Sequence, residues 1–259
     1  MTKHDTDQNA VIITHLNGVT SCTLNRPDKL NALNADMVEE LLQAMKEAAA
    51  KDSQLVVFQG AGRAFCAGFD LSDLADMSDA DLLLRFVRIE TLLQAIYTAR
   101  MPTLALVHGR CFGAGADIVA SCSQRIASPE SSFRMPGLQF GIVLGTRRLA
   151  ALIGGDAARD MLQTSRIFDA ETAHSCGFLT AITAQDDWNQ NITQATTDAG
   201  VLTSPSRHAL MQQTRDDRYL DADMAALVRS ASQPGLGARI AAYVAALKKH
   251  QHPSDRRGA

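Results

Sequence analysis

Apolar positions along this chain switch between two periods. In "AVIITHLNGVTSCTLNRP" two short strand-like runs flank Asn17-Gly18. Both residues of that dipeptide accept positive φ, so the segment predicts a type I′ hairpin. Met37, Leu41, Leu42, Met45 and Ala49 then recur at helical spacing, with Asn34 placed to cap the first turn. "QLVVFQG" reads as a buried strand. From about Ala80 to Thr98, Leu82, Leu83, Phe86, Ile89, Leu92, Leu93 and Ile96 predict a long helix; "TLALVHG" is again strand and "AGADIVASC" helix. Strands and helices that alternate through short glycine turns predict an α/β core. From Asp156 onward the pattern is almost wholly helical, and the polar stretch "DAGVLTSPS" is the best internal boundary. The expected organisation is a core over residues 1–198 and a helical C-terminal subdomain over 199–259.

Composition narrows the function classes. The chain has 259 residues, 46% of them hydrophobic and 20% charged, as ordinary soluble enzymes do. A formal net charge of -3 with both signs scattered argues against nucleic acid as a partner. The basic stretch "KKHQHPSDRR", Lys248 to Arg257, reads as a solvated tail. Five cysteines, with no C-x-x-C pair and no signal peptide in the polar start, fit a reducing cytoplasm. No apolar run approaches the roughly 18 residues of a membrane span, so no membrane partner is expected.

Two glycine turns hold the candidate chemistry, "AFCAGFDL" and "GRCFGAGADIVA". Small residues where a strand hands over to a helix let a ligand approach the backbone, and the first amides of a helix are free donors. One amide from each turn could hold a developing oxyanion; tight helix-on-strand packing is the plainer reading of the same glycines. Neither turn is a nucleotide fingerprint, since Phe65 and Ile118 stand where a third glycine belongs. His108 and His174 have no spaced partner, so no metal site is expected. Cys66 and Cys111 are nucleophile candidates by location only and read better as small buried hydrophobes.

Four ordered stretches, "LNRPDKLNALN", "GRAFCAGFDLSDL", "LALVHGRCFGAGADIVASCSQRIASPESSFRMPGLQFG" and "IFDAETAHSCGFLTAI", together resemble the enoyl-CoA hydratase/isomerase, or crotonase, superfamily from about residue 10 to 182. The resemblance implies an α/β spiral of ββα units with a helical C-terminal trimerisation subdomain, and a homotrimer or hexamer. It implies an acyl-CoA thioester as substrate, with CoA belonging to the substrate and no separate cofactor. Carried over by position, the oxyanion-hole amides fall on Phe69 and Ala114. Ala67, Phe69 and Leu71 correspond to the loop that wraps the adenine, and Arg26, Lys29 and Leu30 to residues lining the phosphates and pantetheine. Two cations beside a polyanion make physical sense in an acidic protein.

The catalytic carboxylates depart from that pattern. Hydratases of the family carry one Glu in the helix after the oxyanion hole and a second after a proline some twenty residues on; here those positions are Asp117 and Gly137. Hydration needs a water held by two groups, and Gly137 offers none. The loop "GIVLGTRRL" is also about three residues shorter than the usual version. Three readings of Asp117 stand: a single acid/base at the α or γ carbon, as isomerases of the family manage; a water-orienting group completed by another residue; or a first-turn acid favoured by the helix dipole. Arg134, Gln139, Glu130 and Arg110 are the substitute partners in reach, each of which also reads as a solvated residue. The expected reaction is hydration or double-bond isomerisation of an enoyl-CoA, with other enolate chemistry on a CoA thioester, or silent acyl-CoA binding, as the alternatives.

Overall fold

Asn17 and Gly18 take φ of 51° and 76°, and the hairpin they close pairs β1 (Val11–Leu16) with β2 (Val19–Leu24) antiparallel, Val11 opposite Leu24. The computed structural model describes residues 9–251, and side chains up to residue 247; the charges of Lys248–Arg257 lie outside the described residues. After the hairpin, α1 (Ala35–Ala50) begins where the Asn34 side chain accepts from the Met37 amide, as its position predicts. Then follow β3 (Leu55–Gly60), β4 (Ala64–Cys66), α2 (Asp79–Tyr97), β5 (Thr103–Val107), β6 (Arg110–Phe112) and α3 (Ala114–Ser121). The rest of the core comprises β7 (Gln124–Ala127), β8 (Ser132–Arg134), α4 (Thr146–Ile153), α5 (Gly155–Thr164), β9 (Phe168–Asp169), α6 (Ala170–Ser175) and β10 (Ala181–Ile182). Four helices follow among the described residues: α7 (Trp188–Gly200), α8 (Ser204–Thr214), α9 (Leu220–Ala231) and α10 (Leu236–Gln251).

The strands form two sheets. The larger runs β1-β2-β3-β5-β7-β10, parallel from β2 onward, and the smaller runs β4-β6-β8-β9. Both faces of the large sheet are covered. Val56 and Phe58 of β3 enter the main core with α1, α2 and α3, while Leu55 and Val57 pack with Leu104, Leu106 and Ala195 of α7. This is why "QLVVFQG" and "TLALVHG" are apolar throughout rather than alternating.

The smaller sheet is a correction to the sequence reading, which took β4 and β6 as parts of glycine turns and assigned no strand at β8 or β9. Strands of two or three residues show no periodicity of their own. The last two strands, β9 on β8 and β10 on β7, likewise interrupt a stretch read as almost wholly helical. α2, by contrast, starts within a residue of its predicted position, on a Ser78 capping box.

A separate apolar cluster joins α2, α9 and α10 through Leu82, Phe86, Leu227, Leu236 and Ile240, with Ile142 beneath. It docks the C-terminal helix against α2 and the turn at 137–140. The cavity described next lies under that helix.

Candidate active site

The two glycine turns meet. A Cβ on Gly68, whose φ is 94°, would lie 2.7 Å from the Phe112 carbonyl and 3.4 Å from the Ala114 nitrogen, so only glycine lets the strands approach this closely. One residue on, Phe69 bridges Leu33: the Leu33 amide donates to Gly68 O (2.7 Å) and the Asp70 amide to Leu33 O (3.1 Å). In a parallel bridge those two bonds flank the central residue, so the Phe69 N–H faces away from Leu33. Ala114 opens α3, and its amide has no carbonyl one turn earlier to bond. The Phe69 ring is fixed between the stacked Phe86 ring, 4.6 Å away, and the Arg85 guanidinium at 4.5 Å.

Phe69, Gly113, Ala114 and Asp117 all wall one cavity of about 280 Å³. Most of the remaining wall is apolar: Phe86, Phe112, Met135, Leu138, Phe140, Ile142, Leu144 and Leu162, roofed by Ile240, Tyr243 and Leu247 of α10. Gly137 lines it without offering a side chain. Ala67 and Leu71 reach the same wall, and Ala67 is tied to the loop before α1 by its amide, which donates to Leu30 O at 2.9 Å.

Asp117 is 4% exposed, and its Oδ1 has no hydrogen-bond partner among the described residues. The N-terminus of α4 abuts it: a Cβ on Gly145 would overlap Oδ1. Thr146, the next residue, also lines the cavity and carries a second buried oxygen without a partner. Buried polar atoms left unpaired are uncommon and point to a site for water or ligand. Behind them Arg148, 5% exposed, grips Glu90, 1% exposed, through Nη1–Oε1 (3.0 Å) and Nη2–Oε2 (2.5 Å). Burial drives the Asp117 carboxyl well above the usual carboxylate range; the Arg148 charge pulls against this and Glu90 adds to it. A proton therefore stays on Asp117 to a higher pH than on a solvated carboxyl. Gly145→Ala should push Asp117 aside and strain a backbone held at φ 64°. The expected result is a fall of about 100-fold or more in any activity Asp117 supports, as for a displacement of about 1 Å, measured as kcat/KM.

Other expected residues sit elsewhere. The Arg26 Nη1 donates at 2.6 Å to both Ala32 O and Asp70 Oδ2, so its charge is engaged in holding the 70–72 loop. Lys29 is exposed beside it. Of the four substitute partners, Arg134 and Arg110 reach the cavity wall; Gln139 donates to Gln163 O, and Glu130 is bonded to Ser128 and Gln185. Cys66 and Cys111 are fully buried, and burial pushes the Cys66 thiol up to about 12, which removes the thiolate a nucleophile needs.

The family model for enoyl-CoA hydratase/isomerase matches residues 14–227. The chain belongs to the enoyl-CoA hydratase/isomerase family. It is 33% identical over 191 residues to a probable enoyl-CoA hydratase, echA6, of Mycobacterium leprae, covering 70% of this chain and 75% of that one. A peroxisomal Δ(3,5)-Δ(2,4)-dienoyl-CoA isomerase of Arabidopsis thaliana is 30% identical over 175 residues, covering 61% and 63%. Among solved structures, an enoyl-CoA hydratase/isomerase assignment from Bordetella parapertussis superposes with a TM-score of 0.90 at 47% identity, over 92% of this chain and 99% of that one. The enoyl-CoA hydratase of Bacillus halodurans, at 22% identity, matches in fold alone with a TM-score of 0.80. The architecture is thus the α/β crotonase fold with C-terminal helices.

Within this family member, sequence reasoning missed three parts of the site: the surroundings of Asp117 at α4, the ion pair behind them and the roof. Thr146 and Gly145 fall in the shortened loop, whose course the pattern does not fix. The Glu90–Arg148 pair joins positions 58 residues apart; the clue available was a glutamate inside the apolar stripe of α2. The roof from α10 carries no local signal, because its cavity-facing residues look like any amphipathic helix.

Proposed function

We propose that the protein forms and reprotonates the enolate of an enoyl-CoA thioester, with Phe69 and Ala114 amides holding the enolate oxygen and Asp117 moving the proton. The observation that carries this reading is Asp117, the one carboxylate among the described residues that line this largely apolar cavity, on the same wall as Phe69 and Ala114.

The chemistry follows from that placement. Removing a proton from Cα of a 3-enoyl thioester, or from Cγ of a 2-enoyl thioester, sends the electron pair toward the thioester oxygen. Two amide donors in a largely apolar cavity stabilise that charge strongly, since each such donor contributes about 3 to 4 kcal/mol. One carboxyl that accepts a proton at one carbon and returns it at another suffices for isomerisation. Hydration requires a second group to hold the water, and Gly137 has no side chain for it. Double-bond isomerisation is therefore the reading that the residues present support best, with hydration second. CoA would lie along Ala67 and Leu71 toward Leu30, whose carbonyl accepts from the Ala67 amide, and the exposed Lys29.

The deciding experiment presents the protein with 2-enoyl-, 3-enoyl- and dienoyl-CoA thioesters in deuterated water and follows mass and product by mass spectrometry. Expected is product in excess of enzyme, with deuterium gained at Cα or Cγ. A mass gain of one water would identify hydration, and binding without exchange or turnover of any thioester would overturn the enzymatic reading.

A further inference from the structure

Proton transfer at Asp117 leaves one end of the cavity unexplained. The register of β6 on β8 sets Phe112 opposite Arg134 and Arg110 opposite Ser132. With the two-residue period of a strand, Arg110, Phe112 and Arg134 share a face, and it is the face that walls the cavity.

Arg134 is half-buried, and its Nε donates to Ser165 O at 2.8 Å. That bond anchors the guanidinium while leaving its terminal nitrogens for another partner. Neither Arg134 nor Arg110 pairs with a carboxylate among the described residues, whereas Arg26, Arg88, Arg147 and Arg148 each do. Tyr243 of α10 joins this end, its ring 5.3 Å from that of Phe140. Burial holds its phenol above the ordinary value with the Arg134 charge opposing, so the hydroxyl is a neutral donor.

Guanidinium groups are donors without acceptor capacity. A hydrocarbon acyl chain packed against half-buried Arg134 would strip water from its terminal N–H groups and return nothing, whereas Arg110 is the more exposed of the two. A carboxylate matches the planar fork in two parallel bonds. We propose that the acyl group this protein accommodates is itself anionic, a CoA thioester whose acyl chain bears a second carboxylate held by Arg134 with Arg110 and Tyr243.

The inference rests on the acyl-CoA reading above, and one rival uses the same chemistry: the arginines could take the phosphates of CoA. Calorimetric titration with saturated, unreactive thioesters separates these. The probes are hexanoyl-CoA and hexanedioyl-CoA, and the same two acyl groups on pantetheine, which lacks the nucleotide phosphates. Expected is tighter binding of the dicarboxylic ligand by about 10- to 100-fold in both series, the value of about 1.5 to 3 kcal/mol for hydrogen bonds to a charged group. Arg134→Gln should collapse that ratio toward one, and Arg134→Lys should restore part of it. Should Arg134→Gln fail to fold, as judged by far-UV circular dichroism, Arg110→Gln and Tyr243→Phe read the same ratio.

Equal affinity for both acyl groups in the wild type overturns the inference. So does an Arg134→Gln loss that is the same for both acyl groups with CoA and absent with pantetheine, which would assign the arginines to phosphate. Failure of every thioester to bind would instead sink the acyl-CoA reading itself.

Discussion

Asp117→Asn should reduce kcat/KM by about 100- to 10,000-fold, the range for a positioned acid/base, while leaving the affinity for unreactive acyl-CoA nearly unchanged. The substitution keeps the side chain's size and its place beside Gly145, so the cavity wall stays intact. Only the ability to take and return a proton is lost. In the wild type the active species for abstraction is the carboxylate, and burial holds the Asp117 carboxyl well above its ordinary range. Activity should therefore rise with pH and level off only beyond that raised value. Stability should move the opposite way. A folded-state pKa raised above the unfolded one means the native protein holds a proton that the unfolded chain has released. The contribution is fully present below the unfolded pKa and is lost as pH climbs through the folded pKa. Asp117→Asn lacks this slope, so its Tm should exceed that of wild type by a few degrees at alkaline pH and converge in acid. A mutant that is inactive and also equally pH-sensitive would mean that another group titrates.

Glu90→Gln should destabilise the fold by about 3 to 5 kcal/mol, the cost of leaving one charge of a buried pair uncompensated. Arg148 is 5% exposed, and Glu90 bonds both of its terminal nitrogens. With Glu90 neutral, the arginine would act on Asp117, the other buried carboxyl that feels its charge. The Glu90 charge raises the Asp117 pKa and the Arg148 charge lowers it, so removing the former should shift the rising limb of the pH–activity profile to lower pH. Denaturant titration reads the first effect and the pH profile the second. Glu90→Leu combined with Arg148→Met should recover most of the lost stability, because an apolar pair of similar volume carries no desolvation cost, but not the wild-type pH profile. Recovery of the profile as well would show that the pair acts on packing alone.

How much of this was legible in the residues depends on the distance over which each feature is encoded. The hairpin at Asn17-Gly18, the Asn34 cap and the apolar stripe of α2 are local and stand where the pattern puts them. The approach of the two glycine turns followed from residue size, because no side chain fits between Gly68 and Phe112 O. The small sheet was invisible, its strands being shorter than any period they could display. Asp117 was visible as an anomaly in helix α3, but its surroundings were not: Gly145, Thr146, Glu90 and Arg148 reach it from two other helices and the loop before α4. Arg134 shows the same limit in another form. Read alone, it is a solvated charge after a phenylalanine; paired across β6 and β8, it faces the cavity beside a second arginine.

The roof formed by Ile240, Tyr243 and Leu247 has a thermodynamic consequence. The walls beneath it come from residues 67–162, while α10 is held to them chiefly by the small cluster around Leu82, Phe86, Leu227 and Leu236. A ligand filling the cavity touches both parts and acts as a tether between them. At a concentration of 100 times its Kd it adds about 2.7 kcal/mol to every opening reaction that empties the site. Occupancy thus converts the docking of one terminal helix from a local equilibrium into part of the cooperative unit.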